Sequence, residues 1–182
     1  MVACRSSISI LLTKSPMPSD RSSPGNLAAT CSGLKSFAIS ASLSPLPESL
    51  TEKNTLSEVV MINIVEIYEY GGEQIAVRDF NMLESAVNMP KQMFNGNYLH
   101  EDLFVMAAAY LFHMAKNHPF IDGNKRTAVV SALVFLELNG LSLSMEGTLL
   151  EEITQNAIRG TASKDDIARA FREYSIPLDD EE

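Results

Sequence analysis

Residues Thr127–Leu138 constrain this chain more than any other stretch. They read TAVVSALVFLEL, apolar on nearly every side of a helix, and stop at the turn signal Asn139-Gly140. A helix with an apolar circumference cannot lie on a surface, so other elements must surround it. The run is also too short to span a bilayer. The expectation is a bundle with this helix at its centre.

The flanking sequence supplies the surrounding helices. Ser49-Leu50-Thr51-Glu52 has capping-box spacing ahead of a broadly apolar helix from Leu56 to Tyr70, which Gly71-Gly72 stops. Asn81 with Glu84 is read as a second capping box, opening a short helix through Leu83, Ala86 and Val87 that Pro90 ends. Residues 90–99 form a loop around Asn95-Gly96-Asn97, a turn signal that suits a small hairpin. A longer helix from about Glu101 to Lys116 buries Leu103, Met106, Ala107, Tyr110, Leu111 and Met114. Thr148 with Glu151 is read as the cap of the next helix, ending near Arg159-Gly160, and Ser163 with Asp166 as the cap of the last, to about Tyr174. Strand signals are weak. The fold class expected is all-α, a bundle of about six helices.

Charge divides the chain. Residues 1–47 carry four basic and one acidic residue, with 12 serines and five prolines, whereas residues 48–182 carry ten basic and 22 acidic residues. The first segment reads as a disordered Ser-rich leader or upstream extension, with a targeting or secretion role left open. The domain is expected over 48–176, followed by an acidic tail over 177–182. A net charge of -9 argues against general nucleic-acid binding. Both cysteines, Cys4 and Cys31, lie in the first segment, so neither a disulfide framework nor a cysteine metal site supports the domain; a cytoplasmic location is the simpler expectation.

The chemistry is concentrated just ahead of the apolar helix, in His118-Pro119-Phe120-Ile121-Asp122-Gly123-Asn124-Lys125-Arg126-Thr127. A helix beginning near Gly123 or Asn124 presents its free N–H groups and positive dipole end at this turn. Gly123 lets the backbone approach a ligand closely, and Lys125 and Arg126 add cations, the arginine with a fork suited to phosphate. That is an anion cradle. Asp122 fits beside phosphates when a Mg²⁺ ion bridges them. His118 stands upstream, where its imidazole can take a proton from a hydroxyl. Pro119 stiffens the loop and Phe120 pins it to the core.

The whole series resembles the Fic/Doc (Fido) superfamily, and most of all its death-on-curing branch. Doc-like proteins carry His-x-Phe-x-Asp-Ala/Gly-Asn-Lys-Arg, matched here by His118, Phe120, Asp122, Asn124, Lys125 and Arg126; Fic proteins have glycine where Lys125 stands. Flanking likenesses include Tyr70-Gly71-Gly72, Val77-Arg78-Asp79, Lys116-Asn117 and Phe135–Gly140, so the resemblance covers about residues 50–174. It implies His118 as general base, Asp122 as metal holder, Asn124, Lys125 and Arg126 as phosphate contacts, and Gly123 as cradle backbone. It implies ATP and Mg²⁺ as cofactors. With lysine at 125 it implies transfer of the γ-phosphate to a protein hydroxyl, the family target being elongation factor Tu. It further implies an antitoxin partner and a flap at 90–99 that positions the target. AMP transfer, as in Fic proteins, is the alternative; a catalytically silent regulatory module is the second. Ser142–Gly147 formally matches a Fic inhibitory pattern but stands after the motif helix, and is read as coincidence.

Overall fold

The computed structural model describes residues 53–100 and 102–178. The leader, the Ser49–Glu52 cap, Glu101 and residues 179–182 lie outside the described residues. Six α-helices are present among them: α1 Leu56–Tyr70, α2 Phe80–Asn88, α3 Leu103–Asn117, α4 Asn124–Leu138, α5 Gly147–Arg159 and α6 Lys164–Tyr174. A 3₁₀ turn, Met89–Lys91, follows α2, and the hairpin β1 Met93–Phe94 and β2 Asn97–Tyr98 follows it. β3 Leu141–Leu143 pairs antiparallel with β4 Ser175–Pro177. The mostly helical bundle expected from sequence is the fold observed, with the flap hairpin at its expected place.

Its centre is a different helix. α3 packs against α2, α4, α5 and α6, and it buries ten residues including Ala107, Ala108, Ala109 and Tyr110. The three alanines let neighbouring backbones approach closely. α4 instead leaves Lys125 exposed and Val130, Leu133 and Glu137 half-buried. The apolar run of α4 is therefore a flank of the core, and its first turn is free to face solvent.

Two caps, those of α2 and α5, differ from expectation, and α1 carries a cap that was not read from the sequence. α1 is opened by Thr55, whose Oγ1 accepts from the Glu58 N–H while the Glu58 carboxylate accepts from the Thr55 N–H at 2.7 Å. α2 is capped by Asp79, not Asn81: its carboxylate accepts from the N–H groups of Asn81 and Met82. The chain is committed there because the N–H groups of Arg78 and Asp79 both donate to the Pro119 carbonyl. α5 starts at Gly147 without a side-chain cap, so Thr148 and Glu151 lie inside its first turns. The Ser163–Asp166 box on α6 is present as read. β3 and β4 were not legible beforehand, and their pairing carries the fold through Pro177, one residue past the expected domain boundary. The Ser142–Gly147 segment is divided between β3 and the start of α5.

Candidate functional site

His118 ends α3 in the left-handed conformation, φ 48° and ψ 54°. That backbone is uncommon for a residue with a Cβ, and Pro119 behind it removes any continuing helical N–H. The loop is held from both sides. Residues 76–79 run antiparallel to 119–121: Arg78 N–H donates to Pro119 O at 2.7 Å and Ile121 N–H to Ala76 O at 3.0 Å. Phe120 is 1% exposed among Val59, Leu83, Met114 and Ala128, as the reading of it as a core pin requires.

Asn124 closes the loop on itself. Its Oδ1 accepts from the Phe120 N–H at 2.8 Å, and its Nδ2 donates to the Phe120 carbonyl at 2.9 Å. The side chain assigned to phosphate is thus buried as a clamp, and only its backbone belongs to the cradle. Arg126 differs from expectation in the same way. Its two terminal nitrogens donate to Glu66 O at 2.9 Å and Gly71 O at 2.8 Å, tying the end of α1 to the site. Its charge stays at the cavity wall while two of its five donors face main chain.

Gly123 precedes α4 at φ 78°, and no side chain caps the helix. The first helical bond is Thr127 N–H to Gly123 O, so the N–H groups of the first turn are left to the cavity side with the helix dipole behind them. Here glycine is required twice over: by the left-handed φ, and because a Cβ would stand 2.8 Å from Asn63 Nδ2.

Asp122 is set by two backbone donors. Its Oδ2 accepts from the Glu73 N–H at 3.1 Å and its Oδ1 from the Gly123 N–H at 2.6 Å. These two bonds, Glu73's first, hold its carboxyl below the usual carboxylate range. Gly72 lets the carboxylate lie against the loop, since a Cβ there would meet Oδ2 at 2.8 Å. Each oxygen keeps a lone pair. Among the described residues no cluster of three or more His, Cys, Asp or Glu side chains surrounds the position. One ionised carboxylate beside an anion cradle fits a hard cation whose remaining ligands are phosphate and water oxygens.

The His118 imidazole is half-buried, and burial first, then Arg78 and Lys125, pushes its pKa below the ordinary histidine value. It is uncharged at neutral pH and able to accept a proton. Arg78 is fixed by donation from Nη2 to Asn117 O at 3.2 Å.

His118, Asp122, Gly123, Asn124, Lys125 and Arg126 all line one cavity of about 460 Å³, so the sequence-predicted residues converge. Three residues missed by sequence reasoning, Glu151, Thr154 and Gln155 of α5, form part of its wall. Thr154 donates its hydroxyl to Leu150 O, leaving Glu151 and Gln155 as the polar groups of that side. The other omission is Asn63 of α1, buried among apolar neighbours, which donates to Asp122 O at 2.9 Å and Thr127 Oγ1 at 3.0 Å. Its signal was present: an amide in the Val59, Asn63, Ile67 stripe of the buried face of α1.

The geometry has the chemistry for a polyanion at a helix N-terminus, with the His118 imidazole beside it. Residues 53–136 match the model of the Fic/DOC family. The chain is 42% identical over 77 residues to a protein named Toxin Doc from Mycolicibacterium smegmatis, covering 42% of this chain and 58% of that protein. It is 41% identical over 71 residues to one named Protein kinase doc from Escherichia phage P1, covering 39% of this chain and 56% of that protein. The chain thus matches somewhat more than half the length of these curated relatives. The motif, the helical fold and these likenesses agree: over residues 53–136 the chain is similar to the Fic/Doc family, and both of these relatives are named Doc.

Proposed function

We propose that this protein is a Doc-like toxin that transfers the γ-phosphate of ATP to a serine or threonine hydroxyl of a target protein. The observation that carries the reading is the cavity itself: an uncharged His118 and the uncapped N-terminus of α4 open into the same space, with Lys125 on its wall. The name of the phage relative, a protein kinase, supports phosphoryl over nucleotidyl transfer.

In this reading the polyphosphate of ATP lies against the first-turn N–H groups of α4, with Lys125 and the remaining donors of Arg126 offsetting its charge. Mg²⁺, bound with the nucleotide, would be held by Asp122 and would neutralise phosphate charge. His118 takes the proton as the hydroxyl oxygen bonds to the γ-phosphorus; the bond from that phosphorus to the β,γ-bridging oxygen breaks, and ADP leaves. Such a reaction asks mainly for positioning and charge stabilisation, so the phosphorus brought in line with the hydroxyl decides the product. Lys125 occupies cradle space and thereby selects the orientation. The flap hairpin, with Met93 and Phe94 exposed, offers the surface along which a target segment lies. A translation factor, elongation factor Tu by family, is the proposed target, and a small antitoxin the proposed inhibitor. Action in the cytoplasm follows from that target.

ATP labelled at either the α- or the γ-phosphate tests the reading, with the elongation factor as acceptor and His118→Ala as control. Label should pass from the γ position alone and fail to pass in the variant. Label arriving from the α position would replace this reading with AMP transfer. No transfer to any translation factor would favour a silent binding module.

A further inference from the structure

Asn63 touches neither the cavity nor its solvent. It is 1% exposed on α1, between Val59 and Ile67, yet it lies directly beneath the Asp122–Gly123 turn. We propose that Asn63 is a positioning residue that sets the metal-holding carboxylate of Asp122 through the Asp122–Gly123 peptide plane. The inference rests on the reading of Asp122 as the group that holds the nucleotide's metal.

The geometry forms a relay. Asn63 Nδ2 donates to the Asp122 carbonyl at 2.9 Å. That carbonyl and the Gly123 N–H belong to one rigid trans peptide and point in opposite directions. On the far side the Gly123 N–H donates to Asp122 Oδ1 at 2.6 Å. Anchoring the carbonyl from α1 therefore fixes the tilt of the N–H that aims the carboxylate. The second hydrogen of Nδ2 goes to Thr127 Oγ1 at 3.0 Å, which pins the amide to the first turn of α4. The residue type is demanding. An aspartate would set lone pairs against the Asp122 carbonyl, and a leucine would leave that carbonyl without its donor. Nothing wider than glycine fits between, because a Cβ at position 123 would approach Nδ2 to 2.8 Å.

Two readouts test the relay, neither of them activity. The first is the amide proton of Gly123 in the ¹H–¹⁵N spectrum of the free protein, deshielded by its short bond to a carboxylate. The second is calorimetric affinity for Mn²⁺·ATP without target. Asn63→Ala should move the Gly123 amide upfield and weaken Mn²⁺·ATP roughly 10- to 100-fold, the range for residues that orient a metal ligand. Asn63→Asp, nearly the same shape, should do the same if the alanine variant does not fold. Thr127→Val breaks the other arm; it should lower the melting temperature while leaving the Gly123 amide near its place. An unmoved Gly123 amide with unchanged affinity in the Asn63 variants overturns the proposal. Equal effects of Asn63→Ala and Thr127→Val on both readouts also overturn it, because the role is then merely structural. Asp122→Asn separates the two claims. Unchanged Mn²⁺·ATP affinity in that variant refutes the metal-holding reading, while the Gly123 amide still decides the relay.

Discussion

Replacing Asn124 by alanine distinguishes a clamp from a phosphate ligand. The carboxamide makes two bonds to Phe120, 2.8 Å from its N–H and 2.9 Å to its carbonyl, and Phe120 is 1% exposed. Truncation leaves a buried donor and a buried acceptor unpaired, each costing about 1–3 kcal/mol. Some relaxation at the loop brings the sum to about 3 kcal/mol, a large part of a domain's usual ~5–15 kcal/mol. At about 4 °C per kcal/mol for a fold of this size, the melting temperature should fall by about 12 °C. Calorimetry or circular dichroism on the purified protein measures this, and ATP titration follows in the same samples. Asn124→Asp keeps the acceptor for the Phe120 N–H but loses the donor, so it should fall between wild type and alanine. An unchanged melting temperature in Asn124→Ala, with only ATP affinity reduced, would refute the clamp and restore the side chain as a phosphate contact.

Three further outcomes follow from the site. With His118 as the proposed base, and with burial, Arg78 and Lys125 lowering its pKa, transfer should hold to below pH 6.5 and be lost as pH falls through the depressed value; Arg78→Ala removes one cause, so the acid limb of the rate profile should move to higher pH. Lys125→Gly should weaken γ-phosphate transfer and open a route to AMP transfer, read by the label that reaches the target; an undiminished kinase rate would show that the lysine does not select the product. Arg126→Lys keeps the charge but cannot span the Glu66 and Gly71 carbonyls, so a melting temperature lowered by a few degrees is expected, and an unchanged one would show that the tethers contribute nothing.

The site was legible in the sequence because its parts are consecutive. His118 through Thr127 bring base, carboxylate, turn and helix start together by chain connectivity, and one cavity collects them. The partners of Asn124 and Arg126 were not legible in the same way. One folds back four residues and the other crosses to α1, and nothing in their chemistry says whether a donor will meet phosphate or main chain. Caps were ambiguous because Ser/Thr/Asn followed three residues on by an acid recurs at Asn81–Glu84 and Thr148–Glu151, where the helix has already begun one residue earlier, at Phe80 and Gly147. Tertiary ties decide: the bonds of Arg78 and Asp79 to Pro119 end the extended segment before Asn81 is reached. β3 and β4 are three residues each and pair Leu141 with Pro177, a contact that local periodicity cannot announce. The centre was misplaced because the run Thr127–Leu138 is apolar on nearly every side, whereas the small residues of α3 allow neighbours to crowd it.

The central claim is that the nucleotide presents its γ-phosphate to His118. A crystal structure of the domain with Mg²⁺ and a non-hydrolysable ATP analogue measures this directly. The account predicts the γ-phosphorus beside the imidazole, the polyphosphate on the first turn of α4 and Asp122 on the metal. An α-phosphorus beside His118, with the γ-phosphate deep in the cradle, would contradict it.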